Sequence, residues 1–373
     1  MNLLNKSLWL VLLALVSESA LAENPSKQAF KAAYKKYNDC IEKQDKDCAI
    51  EQADIALRYG LQLFDTQGKN VAMLTHNYGL ALLKSDSADK RLASYPVLKE
   101  AYQRIRHTFG ANSENAVLVL LDLCGSVALQ PKEEQLSQTY IEDTISISEN
   151  VYGADSLAHA RLLQQLAKSS MESPALSWDE YTHIVQQSHA LLVQHLGSPN
   201  METAMSALEL GKLYYTRGME HKALKAFEFS LDSFEGLNLS DRNYEFNARL
   251  FIVKTLSEMG DLDEANKRWV ELNKMKTAPI SDFESLPVVK SAPRYPASAA
   301  NSGLTGSVTL NYTVTKSGVV TDIEVVAWTG SKLFIPPSIK AVEKFKYLPR
   351  YENGKPVETR GVENTFTFEM AGD

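Results

Sequence analysis

Few residues in this chain could do chemistry, and their spacing does not bring them together. His183, His189 and His195 recur every six residues in one helical stretch, which turns successive imidazoles about 120° apart on a helix. They cannot face one metal ion. The patterns of a zinc-protease helix (H-E-x-x-H), a nucleophile elbow (G-x-S-x-G), a phosphate-binding loop and a C-x-x-C thiol pair are absent from the sequence. Trp178-Asp179-Glu180 and Asp261-Leu262-Asp263-Glu264 gather carboxylates, but at predicted helix starts, where negative charge complements the helix dipole. The expectation is a protein that is not an enzyme and holds no metal or cofactor. Three cysteines remain. Cys40 and Cys48 bracket the turn of one predicted helical hairpin, whereas Cys124 follows the apolar run Val117 to Leu123 and reads as a small core residue.

The elements with the clearest pattern lie in the last ninety or so residues. Val308, Leu310, Tyr312 and Val314 alternate with Thr309, Asn311, Thr313 and Thr315, which predicts a half-buried strand. Thr315-Lys316-Ser317-Gly318 supplies a hairpin loop, its Gly free to take positive φ. A second strand follows, with Val319, Thr321, Ile323, Val325 and Ala327 on one face. Pro336 and Pro337 then suit a first helical turn. Ile339, Val342, Phe345 and Leu348 carry helical spacing to about Tyr347. After a loop around Pro349, Asn353-Gly354 and Pro356, a last strand sets Val362, Phe366, Phe368 and Met370 against Glu363, Thr365, Thr367 and Glu369. One apolar sheet face covered by one helix makes a small α+β domain.

This ordered text resembles the C-terminal domain of the TonB family, periplasmic proteins that pass inner-membrane energy to outer-membrane transporters. The matching pieces are Pro293-Arg294-Tyr295-Pro296, Gly303-Leu304-Thr305-Gly306, the V-x-L-x-Y-x-V strand and Ser317-Gly318-Val319-Val320. They continue with Ala341 to Pro349, Asn353-Gly354-Lys355-Pro356-Val357 and the closing strand from Val362 to Met370. Together they cover roughly residues 285 to 370. In that family the domain binds the extended box of an outer-membrane TonB-dependent transporter by adding it as a strand. The resemblance implies a partner-binding edge at Val362, Glu363, Asn364, Thr365, Phe366, Thr367 and Phe368, and a second contact at Arg294, Tyr295 and Pro296. It also implies inner-membrane energising components as further partners.

The opening of the chain fits such a compartment. Lys6, a nine-residue apolar run from Leu8 to Val16, and Ala20-Leu21-Ala22 before Glu23 have the form of a cleavable secretory signal. The run is shorter than the ~20 residues of a spanning helix. The expected product is a periplasmic protein, soluble after cleavage. Its charge is uneven. From Glu284 onward 10 basic residues meet 9 acidic ones, whereas Glu23 to Phe283 holds 28 against 36. A net acidic central region disfavours nucleic acid or anionic lipid as a partner, because phosphate binding needs clustered cations.

That central region is helical and repetitive. Phe109-Gly110-Ala111-Asn112-Ser113, Tyr152-Gly153-Ala154-Asp155-Ser156 and Leu196-Gly197-Ser198-Pro199-Asn200 repeat one phrase. Their glycines are 43 and 44 residues apart, and Gly68 lies 42 before the first. A Gly that ends one helix and a capping residue that starts the next predict stacked helical hairpins. Leu210-Gly211, Tyr214, Gly218, Ala223, Phe227 and Ser230 resemble the tetratricopeptide pattern, with Leu256, Gly260, Ala265 and Trp269 at equivalent places in the next repeat. Six hairpins are expected, an all-α tetratricopeptide-like solenoid of the kind that binds peptides or proteins.

The domain reading is thus a signal peptide over 1–22, the repeat domain over 23–276, a linker over 277–290 and the TonB C-terminal-like domain over 291–373. In an oxidising compartment Cys40 and Cys48 are expected to pair, and closing so short a loop stabilises by about 2.5 kcal/mol on chain entropy. Two buried free thiols are the alternative. A cleaved leader and a short linker depart from a TonB protein of ordinary length, which keeps its membrane helix and a long Pro-rich spacer. The resemblance therefore implies an adaptor: the tail binds a transporter or other strand donor and the repeats bind another envelope protein. The alternative is an envelope scaffold without a transport role, its tail pairing with itself in a homodimer.

Overall fold

The computed structural model describes residues 25–130, 133–171, 176–239, 242–275, 285–353 and 355–370. The predicted signal peptide, Gly354 and most of the predicted linker lie outside the described residues. Among the described residues, twelve helices come first. They are α1 (Pro25–Glu42), α2 (Lys46–Leu63), α3 (Lys69–Leu83), α4 (Ala88–Phe109), α5 (Glu114–Val127) and α6 (Glu134–Tyr152). α7 (Leu157–Ser170), α8 (Trp178–Leu196), α9 (Met201–Thr216), α10 (Glu220–Gly236), α11 (Asn243–Met259) and α12 (Leu262–Met275) complete the series. The chain divides into two compact units, residues 1–154 with 165–177, and residues 155–164 with 178–373.

The repeated phrase does at each site what its residues allow. Gly110, Gly153 and Gly197 take φ of 92°, 85° and 66°, conformations that cost a side-chain-bearing residue dearly. Beyond each glycine a short polar side chain accepts from the first turn of the next helix. Ser113 accepts from Ala116 N at 3.2 Å, Ser156 from His159 N at 3.0 Å, and Asn200 from Glu202 N at 2.8 Å. Gly68 keeps the spacing but not the role, since it caps the start of α3 at φ −85°.

In the first unit, Cys40 and Cys48 are joined by a disulfide with their Cα atoms 5.8 Å apart. His76 Nε2 meets Asp122 Oδ2 at 2.7 Å, tying α3 to α5. In the second unit, Gly211 of α9 is where Phe227 of α10 lies down. A Cβ there would stand 2.5 Å from Phe227 Cε1, so the Gly of the L-G-x-x-Y pattern is a contact surface for the Phe of A-x-x-x-F. Ala223, Phe227 and Ser230 are fully buried, and Ser230 Oγ donates to Ala204 O at 2.8 Å. Replacing Gly211 with Ala would force the ring away from the helix, an overpacking cost of about 1–3 kcal/mol.

The second unit ends in the α+β tail. Its strands are β1 (Leu286–Val289), β2 (Gly306–Val314), β3 (Val320–Gly330), β4 (Lys346–Leu348), β5 (Arg350–Glu352), β6 (Lys355–Val357) and β7 (Thr359–Phe368). Two helices accompany them, α13 (Ala297–Asn301) and α14 (Ile335–Glu343). The main sheet is antiparallel in the order β3-β2-β7, while β1 pairs with β4 and β5 with β6. Val308, Leu310, Tyr312 and Val314 are buried in one cluster with Phe334, Val342, Phe345 and Tyr347, which is the predicted apolar sheet face under its helix.

Two expectations change. The helix stops at Glu343, and Phe345 N donates to Val342 O at 3.0 Å as the last turn closes. Lys346 to Leu348 then run extended against β1, and Tyr347 N donates to Gly318 O at 2.9 Å. Sheet pairing captured a segment whose apolar spacing was also helical, as tertiary context often does. In β3 the register shifts between Thr309 and Leu310. Ala327 therefore pairs with Thr309 on the polar face, not with the Ile323 and Val325 set, because one inserted residue reverses the alternation. A second shift between Asn311 and Thr313 likewise leaves Thr321 exposed opposite Thr313 and puts Val320, not Val319, in the sheet core opposite Val314.

The last helical hairpin packs directly on the tail. Val253, Trp269 and Leu272 form a buried cluster to which Val288 and Val319 are added. Asn273 Nδ2 donates to Ser317 O at 2.9 Å. Glu258 of α11 accepts from Ser291 Oγ at 3.0 Å and from Lys344 Nζ at 2.6 Å. Trp269 occupies the place that Phe227 holds in the preceding repeat, and the tail packs against it through Val288 and Val319.

Candidate functional site: the outer edge of the closing strand

β7 pairs with β2 along its whole length, from Gly306 opposite Phe368 to Val314 opposite Thr359. A register shift between Tyr312 and Val314 coincides with Gly361, at φ 73°, so two residues of β7 answer one of β2 and the strand begins with a twist. Its other side has no strand partner among the described residues. Such an edge presents unpaired N–H and C=O groups, which proteins either guard or use.

Register assigns each predicted residue a face. Val362, Asn364, Phe366 and Phe368 sit opposite Tyr312, Leu310, Val308 and Gly306, on the core side. Glu363, Thr365 and Thr367 face Asn311, Thr309 and Ser307 on the exposed side, where Thr365 and Thr309 hydroxyls meet at 2.9 Å. Charge lies at Arg360, at Glu363 and beyond the strand at Glu369, whereas Thr365 to Phe368 carry none. The guard is thinnest over the C-terminal part of the strand.

The Tyr-Pro segment reaches the far end of the same strand. The Tyr295 ring meets Phe334 and Phe368 edge-on at 5.5 and 5.6 Å, and those two rings stack at 4.3 Å. The Tyr295 hydroxyl donates to Leu304 O. Pro296 stands at the start of α13, which fits its preset φ, and Arg294 is exposed. Tyr295 therefore positions β7 from beneath, while Arg294 is the member of the trio left at the surface.

Lys290 was not singled out by the sequence, because it falls in a polar stretch that reads as linker. It follows β1, its ammonium donates to Asn364 Oδ1 at 2.9 Å, and it lies 5.4 Å from the Phe345 ring centroid. At the other end of β1, Ser285 and Thr359 hydroxyls meet at 3.0 Å. Side chains flanking β1 thus touch β7 without an assigned ladder between the two strands.

Elsewhere the chemistry is quiet. Burial pushes the Cys124 thiol up to about 12, so it stays protonated, and its sulfur lies 3.5 Å from Thr144 Oγ1. His189 bonds Ser206 Oγ at 2.8 Å while His195 turns to the Asp155 carbonyl. No group of three His, Cys, Asp or Glu is placed to hold a metal among the described residues. No helix among them is long and apolar enough to cross a membrane.

Residues 291–370 match the family of the Gram-negative bacterial TonB protein C-terminal domain. The solution structure of the Pseudomonas aeruginosa TonB C-terminal domain is 29% identical, covering 25% of this chain and 94% of that one, at a TM-score of 0.23. A kinesin light chain fragment of Podospora anserina with TPR-like repeats is 13% identical, covering 59% of this chain and all of that one, at a TM-score of 0.49. BtubC from P. vanneervenii is 13% identical, covering 72% of this chain and all of that one, at a TM-score of 0.34. No curated protein matches the chain. The tail thus matches the TonB C-terminal family, and helical repeats precede it.

Proposed function

We propose that the protein is a non-enzymatic periplasmic adaptor of a TonB-type transport system. The tail takes an extended segment of an outer-membrane transporter as an added strand on β7, and the helical repeats hold a second envelope protein. The unpaired outer side of β7, in a tail that matches the TonB family, is the observation that carries this reading. Main-chain hydrogen bonds along that edge supply affinity, and alternate side chains supply selectivity. In this reading the leader is cut after Ala22, so the periplasmic protein begins at Glu23.

The test is binding of an extended transporter-box peptide, followed by amide hydrogen exchange. Slowed exchange over Val362 to Phe368 supports the reading, and binding with no change there removes it.

A second reading rests on the opposite edge of the sheet. The outer side of β3 also lacks a strand partner among the described residues, and Val326 and Trp328 are 49% and 46% exposed there. Pairing of two copies through their tails would make the protein an envelope scaffold. Sedimentation of the purified protein separates the two: a monomer at tens of micromolar favours the adaptor, a tight dimer the scaffold.

A further inference from the structure

One end of the tail's main sheet carries large apolar side chains that the core does not use. Gly306, Gly330 and Phe368 share a row across β3-β2-β7. Beside that row Leu304, Leu333 and Met370 are 37%, 46% and 50% exposed, and Trp328, two residues back along β3, is 46% exposed. They come from three passes of the chain: the turn into β2, the end of β3 with the 3-10 turn Lys332–Phe334, and the exit from β7. Each pass also sinks a neighbour into the core, since Val308, Phe334 and Phe368 are buried. A Cβ on Gly330 would collide with the Thr305 carbonyl oxygen, which puts Leu304 beside the turn that carries Leu333.

Charge is sorted along the same axis. Lys332 holds its ammonium 5.3 Å from the Trp328 ring centroid. Arg294 is exposed next to Tyr295, whose hydroxyl donates to Leu304 O. Against these two cations stands Glu369, adjoining Met370. Glu324 and Glu363 flank Asn311 in the register, about 17 Å along β2 from the Gly306 row. Trp, Leu and Met at the centre with cations at the rim is the composition of an interfacial membrane anchor. An indole prefers the headgroup boundary, and a lysine stem covers apolar surface while its charge stays in water. Side chains raised on turns from three passes suit a fluid surface, which needs no matching shape. The excess acid of the chain lies in residues 23–283, whereas the tail from Glu284 is near neutral.

We infer that this end of the tail seats on a phospholipid bilayer carrying some anionic headgroup. Trp328, Leu333, Leu304 and Met370 enter the headgroup boundary, and Lys332 and Arg294 meet lipid phosphates. The seat stands independently of what β7 accepts. It gives a membrane surface to a protein in which no described helix is long and apolar enough to cross one.

The probe is a vesicle of phosphatidylethanolamine with a minority of phosphatidylglycerol, in plain and acyl-brominated forms. The protein is used from Glu23 onward, so that the apolar run from Leu8 to Val16 takes no part. A Trp178→Phe background leaves Trp328 as the exposed indole, since Trp269 is fully buried. The expected result is co-sedimentation with vesicles and quenching of Trp328 by brominated lipid. Leu333→Asp and Met370→Asp should each lower the partition coefficient about tenfold, as the loss of one large apolar contact implies. Leu333→Ala should lower it less, and urea midpoints check that each variant is folded. Lys332→Gln with Arg294→Gln should weaken binding and remove most of its salt dependence. Absence of vesicle binding, binding without quenching of Trp328, or binding that ignores both Asp variants overturns the inference. A dimer in lipid-free sedimentation that Leu333→Asp dissociates also overturns it, because a second copy then covers these side chains.

Discussion

Trp269 lies against Gly318: its indole nitrogen is 3.0 Å from where a Cβ on that glycine would stand. Gly318 closes the β2–β3 hairpin at φ 79°, and a Cβ there would also collide with the Tyr347 carbonyl oxygen. One residue without a side chain therefore lets a helix, a hairpin and β4 meet.

Gly318→Ala should consequently cost about 3 kcal/mol, since strain at positive φ and a backbone collision add. Trp269→Ala should cost a similar amount through the cavity it leaves. Urea unfolding monitored in the second unit checks both; a midpoint within error of the parent for either would mean the joint is not packed as described.

Besides its own cluster around Tyr312, the tail packs half-buried Val288 and Val319 against α11 and α12. A fragment spanning 243–370 should therefore unfold at higher denaturant than one spanning 285–370, which should still fold cooperatively on the cluster around Tyr312. Equal midpoints would show that the hairpin contributes nothing, and a non-cooperative shorter fragment would show that it contributes everything.

Lys346 is fully buried, with only the Lys344 and Phe345 carbonyls at 3.3 Å, and burial lowers its pKa to about 8. The unfolded chain holds this proton up to its ordinary range near 10.4, so between roughly pH 8 and 10 the unfolded state binds more protons. Stability should rise with pH across that window. The gain is on the order of 3 kcal/mol, the pKa difference in energy terms. Lys346→Met should be more stable at pH 7 and lose the rise. A flat difference between the two proteins from pH 7 to 10 would place the ammonium in water.

Much of this was legible beforehand, and the boundary has a physical cause. The glycine phrases, the small residues at 211 and 223, and the alternation from Val308 to Val314 are local signals, and each produced the element it implied. β1, the β4 extension past Glu343 and the place of Lys290 were not legible. Each depends on pairing or contact with residues distant in the chain, such as Lys290 with Asn364, and short strands carry too few residues to show a period. Trp269 was recognised as a repeat residue. That its partner would be a hairpin loop, and not another helix, could be seen only once the tail was in place.

Proline tests the edge itself. Neighbouring residues in a strand direct their N–H groups to opposite sides, so of Asn364→Pro and Thr365→Pro one should weaken the β2 ladder and the other remove a donor from the open side. Thr367→Ala, which alters only a side chain on the exposed face, should leave peptide binding within about twofold, as most surface changes stay within ±0.5 kcal/mol. If both proline variants remain folded and bind a transporter-box peptide like the parent, the partner does not add to β7.

Glu258 holds Ser291, just past the first strand of the tail, and Lys344, just past its second helix, with one carboxylate. Pulled from its far end, the tail is thus tied to α11 by a clasp as well as by the covalent thread through residues 276–284. Tension applied to one route is shared with the other. A chain gripped by partners at both ends carries its load across a braced joint, and the segment joining repeats to tail is spared from bearing it alone.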